Sequence, residues 1–192
     1  MIRPILAIAI AIGLLCAAAS SSQQAMYVAH DIPLKRSGGA TIGTVTPGTK
    51  VAIRSTSSGA SSITIDGWQP ISAPTVVFQN VDSQVVMVRL SGKSSDVKIV
   101  SSKKDPYGAA WNQVQVSGAI DSAALAASVT SVWSGAAKFY GQKCSQCHTL
   151  HQPTEFTANQ WPGIVASMAH NAALSGDQLD LVVHYLQAHA RT

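Results

Sequence analysis

The sequence predicts an α+β chain in two folded parts, a small β-barrel in front and an all-α region of three helices behind. Three observations predict it. Between residues 26 and 120, short alternating apolar runs are separated by tight-turn chemistry. From Asp121 the apolar residues recur at i, i+3, i+4 and i+7. Ahead of both, residues 1–19 read as a removable leader, so the expected divisions are 1–19, 26–120 and 121–192.

The leader opens with one positive charge, Arg3, runs apolar from Ile5 to Leu15 and ends in Cys16-Ala17-Ala18-Ala19. That is the pattern of a secretory signal, too short for a comfortable transmembrane span. Cleavage is expected after Ala19, with Ala25 as the second position. The expected product is periplasmic and keeps no stable membrane span. Two alternatives stay open: Cys16 as a lipid-modified terminus, against which Leu15 stands where a small residue belongs, and an uncleaved anchor. Cleavage leaves two of the three cysteines, both in one motif, and so no spare thiol for a structural disulfide.

In the front region the strand candidates are Tyr27 to Ala29, Thr41 to Val45, Lys50 to Arg54, Ser62 to Ile65, Thr75 to Phe78, Gln84 to Leu90 and Asp96 to Val100. Pro47-Gly48, Asp66-Gly67, Ser91-Gly92 and the serine cluster from Ser55 to Ser62 supply the turns. The alternation of Trp111, Val114 and Val116 adds one more strand. This region holds no paired carboxylates, no Ser/His/Asp set and no phosphate-cradling glycine loop, so it reads as a binding or spacing module.

Charge divides the chain unevenly. Residues 26–108 carry nine Lys/Arg against five Asp, whereas the remainder has Lys138, Lys143 and Arg191 against Asp121, Glu155, Asp177 and Asp180. The basic residues are dispersed, without interleaved aromatics, so no nucleic-acid partner is expected. A solvated sheet face comes first and docking to an acidic protein second.

Behind the boundary, Ala124, Leu125, Ser128, Val129, Val132, Trp133, Ala136, Ala137 and Tyr140 form one helical stripe. A second helix is announced by Phe156 to Trp161, where Thr157 with Gln160 has capping-box spacing and Phe156 with Trp161 staple spacing. Pro162 is tolerable in its opening turns. The third runs from about Ser175 to Ala190 on Leu179, Val182, Val183 and Leu186.

Between the first and second helices stands Cys144-Ser145-Gln146-Cys147-His148. C-x-x-C-H attaches a c-type haem, two thiols forming thioethers while the histidine ligates iron. A zinc site needs further ligands at ligand spacing, which the other histidines do not offer, and a thioredoxin-like pair needs a βαβ setting. A disulfide is the remaining alternative. One covalent haem c is therefore expected, on Cys144 and Cys147 with His148 as proximal ligand. At about 100° per residue, Trp161, Ile164, Val165 and Met168 share one helix face while His170 points away. Met168 is ranked first as distal ligand, then His170, then an open site. His184 falls off the apolar stripe of the third helix, His189 lies at its end, and His151 is placed near a propionate or solvent.

Gly43-Thr44-Val45-Thr46-Pro47-Gly48-Thr49-Lys50-Val51, with the strand ending in Asp66-Gly67-Trp68, resembles bacterial SH3-like modules. Cys144 to His151, Thr157 to Gly163, Met168 and Tyr185-Leu186-Gln187-Ala188-His189-Ala190 resemble the C-terminal monohaem domain of the TorC-type pentahaem cytochromes of trimethylamine-N-oxide respiration. Gly67-Trp68-Gln69 resembles the segment before that domain. The resemblance implies an SH3-like β-barrel followed by an all-α, class-I-like monohaem cytochrome c domain. It also implies electron delivery to a periplasmic molybdopterin reductase of N- or S-oxides. The family's membrane anchor and tetrahaem domain have no counterpart in these residues, so quinol oxidation is expected of a separate multihaem donor. The expected role is a non-enzymatic electron carrier. Two other readings stand beside it: a small-ligand sensor or peroxidase-like protein with an open sixth site, and an SH3-like adaptor whose haem is accessory.

Overall fold

A computed structural model describes residues 25–36, 39–92 and 95–191, and the leader expected over residues 1–19 lies outside them. The strands are β1 (Ala25–Val28), β2 (Ile32–Lys35), β3 (Thr41–Val45), β4 (Lys50–Ser57), β5 (Ala60–Pro70), β6 (Val76–Phe78), β7 (Val86–Leu90), β8 (Val97–Lys104), β9 (Ala110–Asp121) and β10 (Leu125–Ala126). The helices are α1 (Val129–Cys144), α2 (Trp161–Ala169) and α3 (Gly176–Ala188).

The ten strands are hydrogen-bonded in the order β10-β1-β4-β5-β6-β7-β3-β2-β9-β8, and β5 also pairs with β9 from Ala60 opposite Asp121 to Pro70 opposite Trp111. That pairing closes β5, β6, β7, β3, β2 and β9 into a six-stranded barrel, with β4, β1 and β10 leading off β5 and β8 flanking β9. Closure is possible because the inward positions are apolar: Leu34, Val45, Ile63, Ile65, Val88 and Val114 are buried in one cluster. Along β5 the alternation is direct, with Ser61, Ile63, Ile65 and Gly67 buried and Ser62 and Asp66 exposed.

Local chemistry accounts for three differences from the expected strands. The serine cluster is not a long turn. Its strands run on to Ser57 and from Ala60, joined by Ser58 and Gly59 at φ 51° and 80°, the two-residue turn that matches strand twist. Asp66-Gly67 is mid-strand, and its glycine is where Met87, Val77 and Phe78 approach the backbone. β2, hidden in the sequence by Pro33, is tolerated because it meets β9 only at Lys35 opposite Ala119.

The expected α+β arrangement, an N-terminal SH3-like barrel followed by an all-α class-I-like domain, is overturned. The molecule is predominantly β, and its sheet continues through β9 and β10 into the segment read as helical. Residues 121–126 satisfy the helical period, yet β1 offers an unpaired edge, and Val28 and Tyr27 pair with Leu125 and Ala126. α1 starts only at Val129, where the Ser128 hydroxyl accepts the Thr130 N–H. The three helices do not form a separate all-α domain, because they lean on the barrel. α1 packs on β1 and β10. The Asn159 side chain accepts from Gln84 N and donates to Asp82 O at 2.8 Å each.

Gly48 marks the closest approach. Its φ is +78°, and a Cβ there would fall on the Trp133 ring of α1. Gly48→Ala is therefore expected to cost about 1–3 kcal/mol through backbone strain and displacement of α1. Gly92→Ala, with no atom within 4 Å, is expected to be near neutral. Thermal unfolding of the two variants beside the parent checks this.

Candidate functional site

Cys144 closes α1, where Lys143 in the last turn suits the helix dipole. The Cys144 side chain is half-buried against the cluster of Tyr140, Trp161, Val165, Val182, Val183 and Leu186, and Cys147 is exposed one turn on. Both are free thiols. Burial first, then the neighbouring Cys147, push the Cys144 thiol upward. His148 is exposed, and its Nδ1 lies 2.7 Å from the carbonyl oxygen of Thr149. A carbonyl can only accept, so Nδ1 donates and Nε2 keeps its lone pair, the tautomer a metal ligand needs. These residues fit covalent haem: two unpaired thiols at C-x-x-C spacing, beside an imidazole with an available Nε2.

The following loop is braced from several sides. The His151 ring lies edge-on to His148 at 5.3 Å between centroids, and its Nδ1 is 2.6 Å from Glu155 Oε2. Tyr140 donates its hydroxyl to the His151 carbonyl at 2.9 Å, and burial pushes that phenol up to about 12. The Trp161 indole donates to Pro153 O at 3.0 Å. Phe156 stacks edge-on against Trp161 at 4.9 Å, the contact the staple spacing predicts. Half of the expected capping box forms: Gln160 Oε1 accepts from Thr157 N, while α2 itself begins at Trp161.

On α2, Trp161 and Val165 are buried, Ile164 and Met168 half-buried and His170 exposed, so the helix turns inward the face read from its spacing. His189 sits at the α3 terminus with Nδ1 on Tyr185 O at 2.8 Å. His184 is buried at 2% exposure, with Nδ1 2.7 Å from Asp180 O and Nε2 2.8 Å from Val86 O of β7. Burial holds its pKa below the ordinary histidine range despite the two carbonyls.

His184 belongs to a seam that the sequence reading missed. Arg89 of β7 holds Asp180 of α3 in a two-pronged pair at 2.9 and 3.0 Å. Asp31, in the link between β1 and β2, faces the same carboxylate, and its Oδ1 is buried without a hydrogen-bond partner among the described residues. Burial first, then Asp180, push Asp31 up to about 6, against the pull of Arg89. The one sequence signal was the i, i+4 spacing of Asp180 and His184. Beside the seam, a cleft of about 1220 Å³ between barrel and helices is lined by Gly48, Lys50, Trp133, His184 and Gln187. It lies away from the cysteines.

Residues 20–125 match the family described as the TorC third cytochrome c domain, a segment that ends before the C-x-x-C-H motif. The chain is 27% identical over 165 residues to cytochrome c-type protein TorY of Escherichia coli O157:H7, covering 85% of this chain and 45% of that protein. It is 24% identical over 130 residues to the protein of the same name in Haemophilus influenzae, covering 67% of this chain and 35% of that one. The chain thus spans less than half the length of these relatives. No solved structure matches it.

Asp31 sets a pH dependence. Unfolded, it loses its proton near 3.8; folded, near 6. The folded state therefore binds more protons between these values, and this group's contribution falls as pH rises across that window. Asp31→Asn is expected to remove that decline. After allowance for solvent screening, the gain at pH 7 is on the order of 1 kcal/mol, a rise in Tm of about 2–4 °C. Melting curves of parent and variant from pH 4 to pH 7 test whether the variant loses that decline.

Proposed function

The chain belongs to the TorC third cytochrome c domain family, and on that premise we propose that it carries single electrons through one covalently attached haem c. The observation that carries the reading is the set of two free thiols beside an imidazole whose Nδ1 is tied to the Thr149 carbonyl. Cys144 and Cys147 tether the porphyrin, and His148 ligates through Nε2. Met168, on the inward face of α2, is the distal ligand. Bound haem supplies the ferric/ferrous couple, and a methionine sulfur raises its potential relative to a second histidine. Were His148 and Met168 both to hold the iron, no substrate would reach it, and the protein would pass electrons rather than perform catalysis.

The half-buried Leu150, Ile164, Leu174 and Leu179, packed on the helical cluster, keep water from the cofactor. The Glu155–His151 pair and the Tyr140 hydroxyl fix the loop that carries His148. We place the carrier in the periplasm after removal of residues 1–19. No described helix is long and apolar enough to cross a membrane. The electron's source is a multihaem quinol-oxidising donor and its acceptor a molybdopterin reductase of N- or S-oxides, in trimethylamine-N-oxide respiration. Docking to such partners is brief and sensitive to charge, with the basic barrel as orienting surface.

Two optical experiments test this. Met168→Ala is expected to abolish the sulfur-to-iron band at the red end of the oxidised spectrum, and retention of that band removes Met168 from the iron. Carbon monoxide is expected to leave the reduced spectrum of the parent unchanged; a shift would favour the sensor reading with an open sixth site.

A further inference from the structure

Four large apolar side chains stand exposed among the described residues, and all belong to one hairpin or touch it. Ile99 and Val100 are 58% and 57% exposed on β8, Tyr107 is 96% exposed in the β8–β9 turn, and Ile71 is 54% exposed with its N–H on Ala110 O. β8 ends the strand order, so among the described residues one of its edges has no strand beside it. All of its residues after Val97 are exposed. An eight-residue edge of this kind is a template for another chain.

The charges on that edge select what can bind. β8 carries Lys98, Lys103 and Lys104 and no carboxylate. Neighbouring acids are engaged: Asp96 takes the Arg36 guanidinium at 2.7 Å, and Asp66 accepts from Gln115 at 2.8 Å. Asp105 accepts from Tyr107 N, Ala109 N and Trp111 Nε1, and the Trp111 bond leads in holding its carboxyl below the usual range. Lys103 sits 4.4 Å above the Trp68 ring. A second copy is a poor occupant. In full antiparallel overlap of β8 with itself, Lys98 would face Lys103, and like charges directly opposite destabilise a ladder.

We propose that the free edge of β8 docks an extended acidic segment of a partner protein by strand addition. The backbone supplies the affinity, and Lys98 at one end with Lys103 and Lys104 at the other, about 17 Å along the strand, supplies the choice of an acidic chain. Ile99, Val100 and Tyr107 offer apolar contact between them. The inference rests on the carrier reading only for the partner's being a redox protein.

The test uses the purified full-length holoprotein and a labelled nine-residue peptide alternating glutamate and valine, followed by fluorescence anisotropy. Saturable binding is expected, at least tenfold weaker for the Lys98→Glu/Lys104→Glu variant and for a peptide N-methylated on alternate residues. Both substituted side chains are exposed, so circular dichroism of the variant should match the parent. Equal binding of a lysine–valine peptide, indifference to the charge reversal, undiminished binding of the methylated peptide, or attachment to anionic vesicles without peptide binding would each overturn the proposal. The spectra that test the carrier reading do not depend on peptide binding, so either idea can fail alone.

Discussion

The helical segment cannot bury itself. Its shared core comprises Tyr140, Trp161, Val165, Val182, Val183 and Leu186, too small an apolar centre for three short helices to fold on alone. The barrel makes up part of the difference: Trp133 closes over Gly48, Arg89 grips Asp180, and His184 reaches Val86 across the seam. The haem proposed for Cys144 and Cys147 would add apolar surface to the same helices. Barrel and helices therefore pack as one unit, with the helical layer held against the β scaffold.

What was legible in the sequence lies in local spacing. C-x-x-C-H needs five residues, and the inward face of α2 follows from a 3.6-residue period. The tertiary pairings were hidden. Leu125 and Ala126 have a helical period but complete the edge of β1, which no short window can reveal. β2 carries Pro33, a residue that local patterning does not favour in a strand, and Asp66-Gly67 has turn chemistry although β9 pairs with β5 along its whole length. Arg89 and Asp180 lie 91 residues apart, a separation that hides their pairing from any local reading.

The seam also carries an electrostatic cost. Arg89 lies close to Asp180, and Asp31 brings a second carboxylate with a buried, unpartnered oxygen. Burying a charge without a full set of partners disfavours the ionised form. That cost sits between barrel and helices, where burial and the Asp180 carboxylate hold the Asp31 carboxyl above its ordinary range.

The proposed carrier depends on haem bound covalently through Cys144 and Cys147 of the exported chain. Intact mass spectrometry of the denatured protein purified from the periplasm tests it most directly. The expected mass is that of the processed chain plus one haem, with none lost on denaturation. A haem-free mass two hydrogens short of the dithiol, marking a Cys144–Cys147 disulfide, would contradict it.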